Sequence, residues 1–489
     1  MPNVSKQVSR LCQMSILIVL VDLLLASSVQ AQRPPLSADH PWHGSSEFNM
    51  EAYTKTVAET RFEVDQSKTY SLAELIDLAE THNPATRVAW ERARSQAAAL
   101  GMARSEMYPT LSAAALSQTG SAQAFLGDRF FGQTTQSFQL SFELSYTVFD
   151  FGARSGRIDG ARARLLAANF GFNDTHRKVI NQVQQAYYRV LSAVGQEDAA
   201  RASLSNAKAV QQASEERLSN GLATLPDVLE SRSATAQAEY NLQAVVGAEE
   251  IARGDLATAV GTSATVAIRI QPLDQLTTPE SLGETVEQAI TRACGQRPDL
   301  MQQAAEIRTA NARRTEARAE YYPSLNLNVS PALPSLYGIQ QPFNWAHTAD
   351  LVGSVSLNLT WTVFDGGARK SRAAQAQADI HAAEAQTNLK KNQIANEVWT
   401  AYSNLNTAFR QQKAAIALLE AASQSYNAAL ESYKYGLRNL LDVTAAQRSL
   451  AQARSADVFA RTQVLTAVAD LAFATGDSIQ ANHERAQHP

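Results

Sequence analysis

Leu144-Ser145-Tyr146-Thr147-Val148-Phe149-Asp150-Phe151-Gly152-Ala153-Arg154 returns 215 residues later as Leu359-Thr360-Trp361-Thr362-Val363-Phe364-Asp365-Gly366-Gly367-Ala368-Arg369. In both copies an alternating apolar/polar run ends in Asp and Gly and passes into a proline-free, Ala-rich stretch. That is the pattern of a strand feeding a helix. Other landmarks recur at nearly the same spacing. Tyr108-Pro109 returns as Tyr322-Pro323, and Asn83-Pro84 returns as Arg297-Pro298. Gly221, Leu225, Asp227 and Val228 return as Gly436, Leu440, Asp442 and Val443. One unit of just over 200 residues is duplicated. The expected organisation is a first repeat over 70–261, a linker over 262–280, a second repeat over 281–476 and a tail over 477–489.

Ahead of the first repeat, residues 1–31 read as an export signal. Lys6 and Arg10 precede an apolar stretch over 15–28, interrupted by Asp22, and Val29-Gln30-Ala31 is a small-residue cleavage site. An irregular arm with Pro34, Pro35 and Pro41 is expected over 32–69. Cys12 lies before the apolar run, out of place for lipid attachment, and Cys294 alone cannot form an internal disulfide. A net charge of -4 gives no nucleic-acid signal. No later stretch is apolar enough for a helical span, so an exported chain is soluble, surface-bound or a β-barrel.

The helical stretches are too long for one globular core. Ser71-Leu72-Ala73-Glu74 reads as a capping box opening a helix toward Met107, broken at Asn83-Pro84. Residues 151–219 contain no proline, and nearly 70 helical residues reach roughly 100 Å. A shorter helix returns from Pro226 to Ala259. The second half repeats the plan over 281–321, 367–435 and 437–475. Ile394, Val398, Tyr402, Leu405, Phe409, Ile416, Leu419, Tyr426, Leu430 and Tyr433 fall three, four or seven apart, as do Val179, Val183, Ala186 and Val190. This is a coiled-coil-like seam that needs neighbours along its whole length.

Between the helices the period drops to two. Phe138, Leu140, Phe142, Leu144 and Tyr146 alternate with polar residues, as do Val355, Leu357, Leu359 and Trp361, and Leu325, Leu327 and Val329. With a weaker run over 110–118, this makes four strands of about nine to eleven residues, enough for a tilted crossing of an outer membrane. Phe138, Leu140, Phe142, Leu144, Val355, Leu357, Leu359 and Trp361 are the expected lipid-facing set. Tyr108, Tyr146, Tyr321, Tyr322 and Trp361 fit an interfacial girdle. Residues 119–136, with Phe125, Phe130 and Phe131, and 331–350, with Pro331, Pro334, Pro342 and Trp345, are expected as long extracellular loops. Their aromatic residues either constrict the mouth or pack on one another. Four strands cannot close in lipid, so several copies must share one barrel, and three copies supply twelve.

These motifs, in duplicate and in order over residues 70–476, resemble the TolC-like outer membrane factor family. The resemblance implies an α+β membrane protein: a homotrimer with a twelve-stranded outer-membrane barrel continued by a periplasmic α-helical barrel. It further implies a Gram-negative outer-membrane location, a periplasmic adaptor, an inner-membrane RND or ABC pump, no cofactor and no catalysis. Asp150, Gly152, Asp365, Gly366 and Gly367 then shape the strand-to-helix turns, with the aspartates capping the next helix. Gly221 and Gly436 mark the helix tips. Asp442 matches a position that helps form an acidic periplasmic constriction, and Asp227 is its first-half counterpart. The family pattern's second Asp is Ala445 here, which weakens the double acidic ring. Gly221, Leu222, Leu225, Gly436, Leu437, Leu440 and Leu441 are the expected tip contacts for an adaptor, the leucines forming small apolar patches.

No phosphate-binding glycine loop, zinc-protease His pair or Cys/His pairing is present, and His40 and His43 lie in the arm without nearby cysteine. The chain therefore reads as an exit duct of a tripartite export system, with small-molecule efflux favoured and type I protein secretion as the alternative. A non-conducting coiled-coil envelope protein would explain the helices but not the four alternating segments.

Overall fold

A computed structural model describes residues 64–65, 67–126, 128–273, 283–340 and 346–477. The export signal over 1–31, nearly all of the arm, the end of the linker, Pro342, Trp345 and the tail beyond residue 477 lie outside the described residues.

The duplication is exact in helix length. In the first half, β1 (Thr69–Tyr70) leads to α1 (Leu72–His82, 11 residues), α2 (Pro84–Ser105, 22), β2 (Thr110–Leu126), β3 (Arg129–Phe149), α3 (Ala153–Ser219, 67) and α4 (Leu225–Val260, 36). The second half runs β4 (Arg269–Ile270), α5 (Val286–Gln296, 11), α6 (Pro298–Ala319, 22), β5 (Ser324–Gln340), β6 (Ala346–Ala349), β7 (Val352–Thr360), α7 (Ala368–Lys434, 67) and α8 (Leu440–Thr475, 36). At 1.5 Å per residue α3 and α7 each span roughly 100 Å.

Local chemistry sets these boundaries. The Ser71/Glu74 capping box opens α1, and Thr285/Gln288 does the same for α5. Asn83 accepts from the Ala85 N–H, and Pro84 takes the first turn of α2, where a missing N–H costs nothing. Gly261 and Gly476 end α4 and α8 in left-handed geometry. β1 and β4 pair in parallel, tying the start of the first repeat to the segment that follows it.

The helices pack in two rows. Near the sheet the order is α2–α3–α6–α7; toward the far ends it is α4–α3–α8–α7. Val183, Tyr187, Val190, Leu75 and Leu256 form the core of the first half, and Ile394, Val398, Leu405, Ala289 and Val464 that of the second. Each fully buried large apolar side chain contributes about 1.5–3 kcal/mol. Ile416, expected in the seam, is half exposed.

The sheet order is β2–β3–β5, with β6 and β7 both pairing to β5, all antiparallel. Here the structure corrects the loop assignment. Residues 119–136 are ladder rather than loop: Thr119 pairs with Gln136, and pairing continues to Leu126 and Arg129. β5 likewise runs through Pro331 and Pro334 to Gln340. The apolar alternation fades there while backbone pairing persists, because a strand surrounded by water needs no apolar face. Of the aromatic residues in this stretch, Phe125 and Phe130 pack on one another with ring centroids 5.0 Å apart.

Candidate conduit wall and helix tips

The sheet has one polar and one apolar face. Thr147 donates to Asn326 Oδ1 at 2.9 Å, the Ser330 and Ser354 hydroxyls are 2.9 Å apart, and Asn326 pairs with Asn358 and Asn328 with Ser356. On the other face Leu111 pairs with Leu144, Ala113 with Phe142, Val329 with Val355 and Leu325 with Leu359. Phe138, Phe142, Val355, Leu357 and Leu359 are exposed; Leu140 and Leu144 are half-buried. Trp361, the residue after β7, is exposed at the foot of the strands. Its indole N–H donates to the Tyr321 carbonyl at 3.2 Å.

In the collar below the strands the two turns are built alike. Asp150 Oδ2 accepts from the Arg154 backbone N–H at 2.9 Å and from Arg154 Nε at 3.0 Å, and Oδ1 accepts from the Gly152 N–H. Asp365 repeats this with Arg369 at 2.9 and 3.0 Å and with Gly367. The carboxylates cap the first turn from two residues upstream of the cap positions, which Gly152 and Gly367 occupy in left-handed geometry. Burial opposes charge on Asp150, but the hydrogen bonds from Arg154 prevail and hold its carboxyl below the ordinary value. The halves differ at one position. Gly366 has φ 66°, while Phe151 adopts φ 52° with a full side chain. Its ring stacks on Tyr322 at 4.9 Å and meets Phe149 edge-on at 4.6 Å, which offsets the left-handed cost.

At the tips, Gly221 (φ 72°) and Gly436 (φ 75°) make the reversals. Thr224 and Asp227 form a capping box, and the Asp227 carboxylate accepts from the Thr224 N–H at 2.9 Å and hydroxyl at 2.7 Å. Those bonds lower its pKa and occupy the carboxylate. In the second half Asn439 caps the Asp442 N–H at 2.9 Å, which leaves the Asp442 carboxylate exposed and without a hydrogen-bond partner among the described residues. Leu222, Leu225, Leu437 and Leu441 are exposed. Leu440 is not: it is buried with Tyr426, Tyr433 and Val443, so it is core and not an apolar contact.

Two features escaped the sequence reading. Arg217 of α3 crosses to the end of α7. There Nη1 donates to the Tyr433 carbonyl at 2.6 Å, Nη2 to the Leu222 carbonyl at 3.1 Å, and the guanidinium stacks on the Tyr433 ring. Midway along the chain's helices, Arg297 donates to both Asp299 oxygens, to Glu397 and to the Ala474 carbonyl, while Arg177 pairs with Asp174 and lies 3.6 Å from Asp299. Burial opposes charge on Asp299, yet Arg297 and Lys390 hold its carboxyl well below the usual range. Sequence spacing cannot reveal either cluster, because each joins the two repeats.

The sequence matches the family model described as outer membrane efflux protein over residues 75–262 and 289–477. It is 26% identical over 413 residues to Protein CyaE of Bordetella pertussis, covering 84% of this chain and 85% of that one. Identity to outer membrane protein OprJ of Pseudomonas aeruginosa is 25% over 456 residues, covering 91% of each. The fold also matches the outer membrane protein VceC of Vibrio cholerae, with a TM-score of 0.68 and 21% identity over 83% of this chain and 96% of that one.

Proposed function

The chain belongs to the outer membrane efflux protein family, and on that premise we propose that three copies close into one conduit, passing small molecules outward from a periplasmic adaptor and an RND or ABC pump. It is an outer-membrane exit duct of a tripartite export system, with its long helices extending into the periplasm. The observation that carries the closed ring is a pair of unmatched flanks. On one side lie α2, the free edge of β2 and α4; on the other lie the free edge of β7 and α7. Each flank exposes large apolar side chains: Met102, Tyr240 and Ile251 on the first, Trp399 and Ile416 on the second. A free sheet edge is not tolerated in lipid, and head-to-tail flanks close only by forming a ring. With β6 and β7 counted as one interrupted strand along β5, three copies give twelve strands with the Ser, Thr and Asn face inward, lining a water-filled path.

At the periplasmic end three Asp442 carboxylates converge as the gate. Asp227 serves there as a helix cap. Exposed Leu222, Leu225, Leu437 and Leu441 supply the adaptor contact. The test is single-channel conductance of the purified protein in planar bilayers, wild type against Asp442→Ala. Small, cation-blocked currents that grow or lose block in the variant support the gated duct. Unchanged currents move the gate elsewhere. Folded, inserted protein without conductance would refute the duct.

A further inference from the structure

We propose that Glu143 selects for cations at the outer-membrane end of the conduit, a step that rests on the closed-ring reading above. Over β2, β5, β7 and the stretch of β3 from Phe130 to Phe149, Glu143 is the single Asp, Glu, Lys, Arg or His. It stands between Ser141 and Ser145 on the polar face and pairs across β2 with Ser112. Its side chain is exposed and has no hydrogen-bond partner or ion pair among the described residues; the Ser112 hydroxyl bonds only its main-chain carbonyl, at 3.5 Å.

Over the strand ranges above, no basic side chain stands beside it. In the collar below, Arg154 and Arg369 are neutralised by Asp150 and Asp365 at 3.0 Å, while Arg104 and Arg318, in the last turns of α2 and α6, are exposed and form no ion pair among the described residues. Glu143 lies six residues above the end of β3, about 20 Å along the strand from that collar. The β3–β5 ladder also loses hydrogen bonds at this level without changing register. β3 and β5 pair as far as Ser141↔Ala332 and resume at Leu144↔Val329, and Pro331, which carries no N–H, falls in the gap. A carboxylate repeated around a ring with neutral walls sets the sign of the local potential, enriching cations and depleting anions. Its reach is the Debye length, about 30 Å at 0.01 M salt and about 3 Å at 1 M, so selection belongs to dilute solution.

The experiment measures reversal potentials of the full chain in planar bilayers under an about tenfold KCl gradient with a dilute side near ~10 mM. It uses an Asp442→Asn background so that the tips do not mask the barrel. Parent, Glu143→Gln and Glu143→Lys are compared. The expected result is a K+/Cl− permeability ratio at least about twofold lower in Glu143→Gln, reversed preference in Glu143→Lys, and convergence of all three at about 1 M salt. Glu143→Gln is nearly isosteric, so the comparison stands even if Glu143→Lys does not assemble. Conducting channels with the same ratio in the parent and Glu143→Gln overturn this role and leave the duct intact. Absence of conductance in every protein, the parent included, overturns the duct itself and the role with it.

Discussion

The Arg217 guanidinium lies 4.7 Å over the Tyr433 ring while its Nη1 holds the Tyr433 carbonyl at 2.6 Å. One side chain of the first repeat thus satisfies carbonyls at the C-terminal end of the second repeat's long helix, where cations are favoured. A second nitrogen reaches the Leu222 carbonyl in the reversal of its own hairpin, so the two tips are fastened together. Arg217→Ala is expected to cost about 2 kcal/mol and to widen conductance fluctuations. Arg217→Lys should recover little, because an ammonium cannot span both carbonyls and stack at once. Thermal unfolding and single-channel noise of both variants check this.

Phe151 offers a contrasting test in the collar. Replacing it with Gly removes a left-handed cost of about 1–2 kcal/mol and also ring contacts of similar size, so stability should stay within about 1 kcal/mol of wild type. Phe151→Val keeps the unfavourable φ without the ring and should be clearly worse. Denaturation midpoints of the two variants separate the contributions.

Asp299 neutralises Arg297, Lys390 and, at longer range, Arg177. Asp299→Asn leaves buried Arg297 with Glu397 as its remaining carboxylate and Arg177 with Asp174, so a loss of about 3 kcal/mol, at the low end for breaking a buried pair, is expected. Calorimetry of the assembled protein, with the exposed pair variant Asp159→Asn as control, should show a large drop for the first and almost none for the second.

Acid should loosen the first tip. The folded pKa of Asp227 lies below its ordinary 3.8, so its capping bonds contribute stability above that value, and this is lost as pH falls through the folded pKa. Asp227→Asn keeps an acceptor but not the titration. Its melting temperature should therefore decline less steeply than that of wild type below about pH 4. Parallel curves would remove Asp227 from the acid response.

The helices and turns were legible because local chemistry writes them. The 71–74 capping box, the prolines at 84 and 298 and the two Asp-x-Gly turns each act within a few residues. Strand length was legible only where one face meets lipid; above Gln118, Ser, Thr, Gln and Ala pair as strand without an apolar stripe to announce it. Leu440 was misplaced because a leucine at a tip looks the same whether it points out or under Tyr433. Asp442 and Asp227 looked equivalent in the duplication and differ only through their caps, Asn439 against Thr224.

The two unlike flanks also have a genetic consequence. In the proposed ring of three, every copy would serve one neighbour with α2, β2 and α4 and the other with β7 and α7, so a lesion on either flank would spoil a whole ring. In a cell making defective and intact chains equally, random mixing into threes leaves roughly one ring in eight free of the defect. Flank alleles should therefore be dominant and suppress export in the presence of a normal copy, whereas alleles that prevent folding should be recessive.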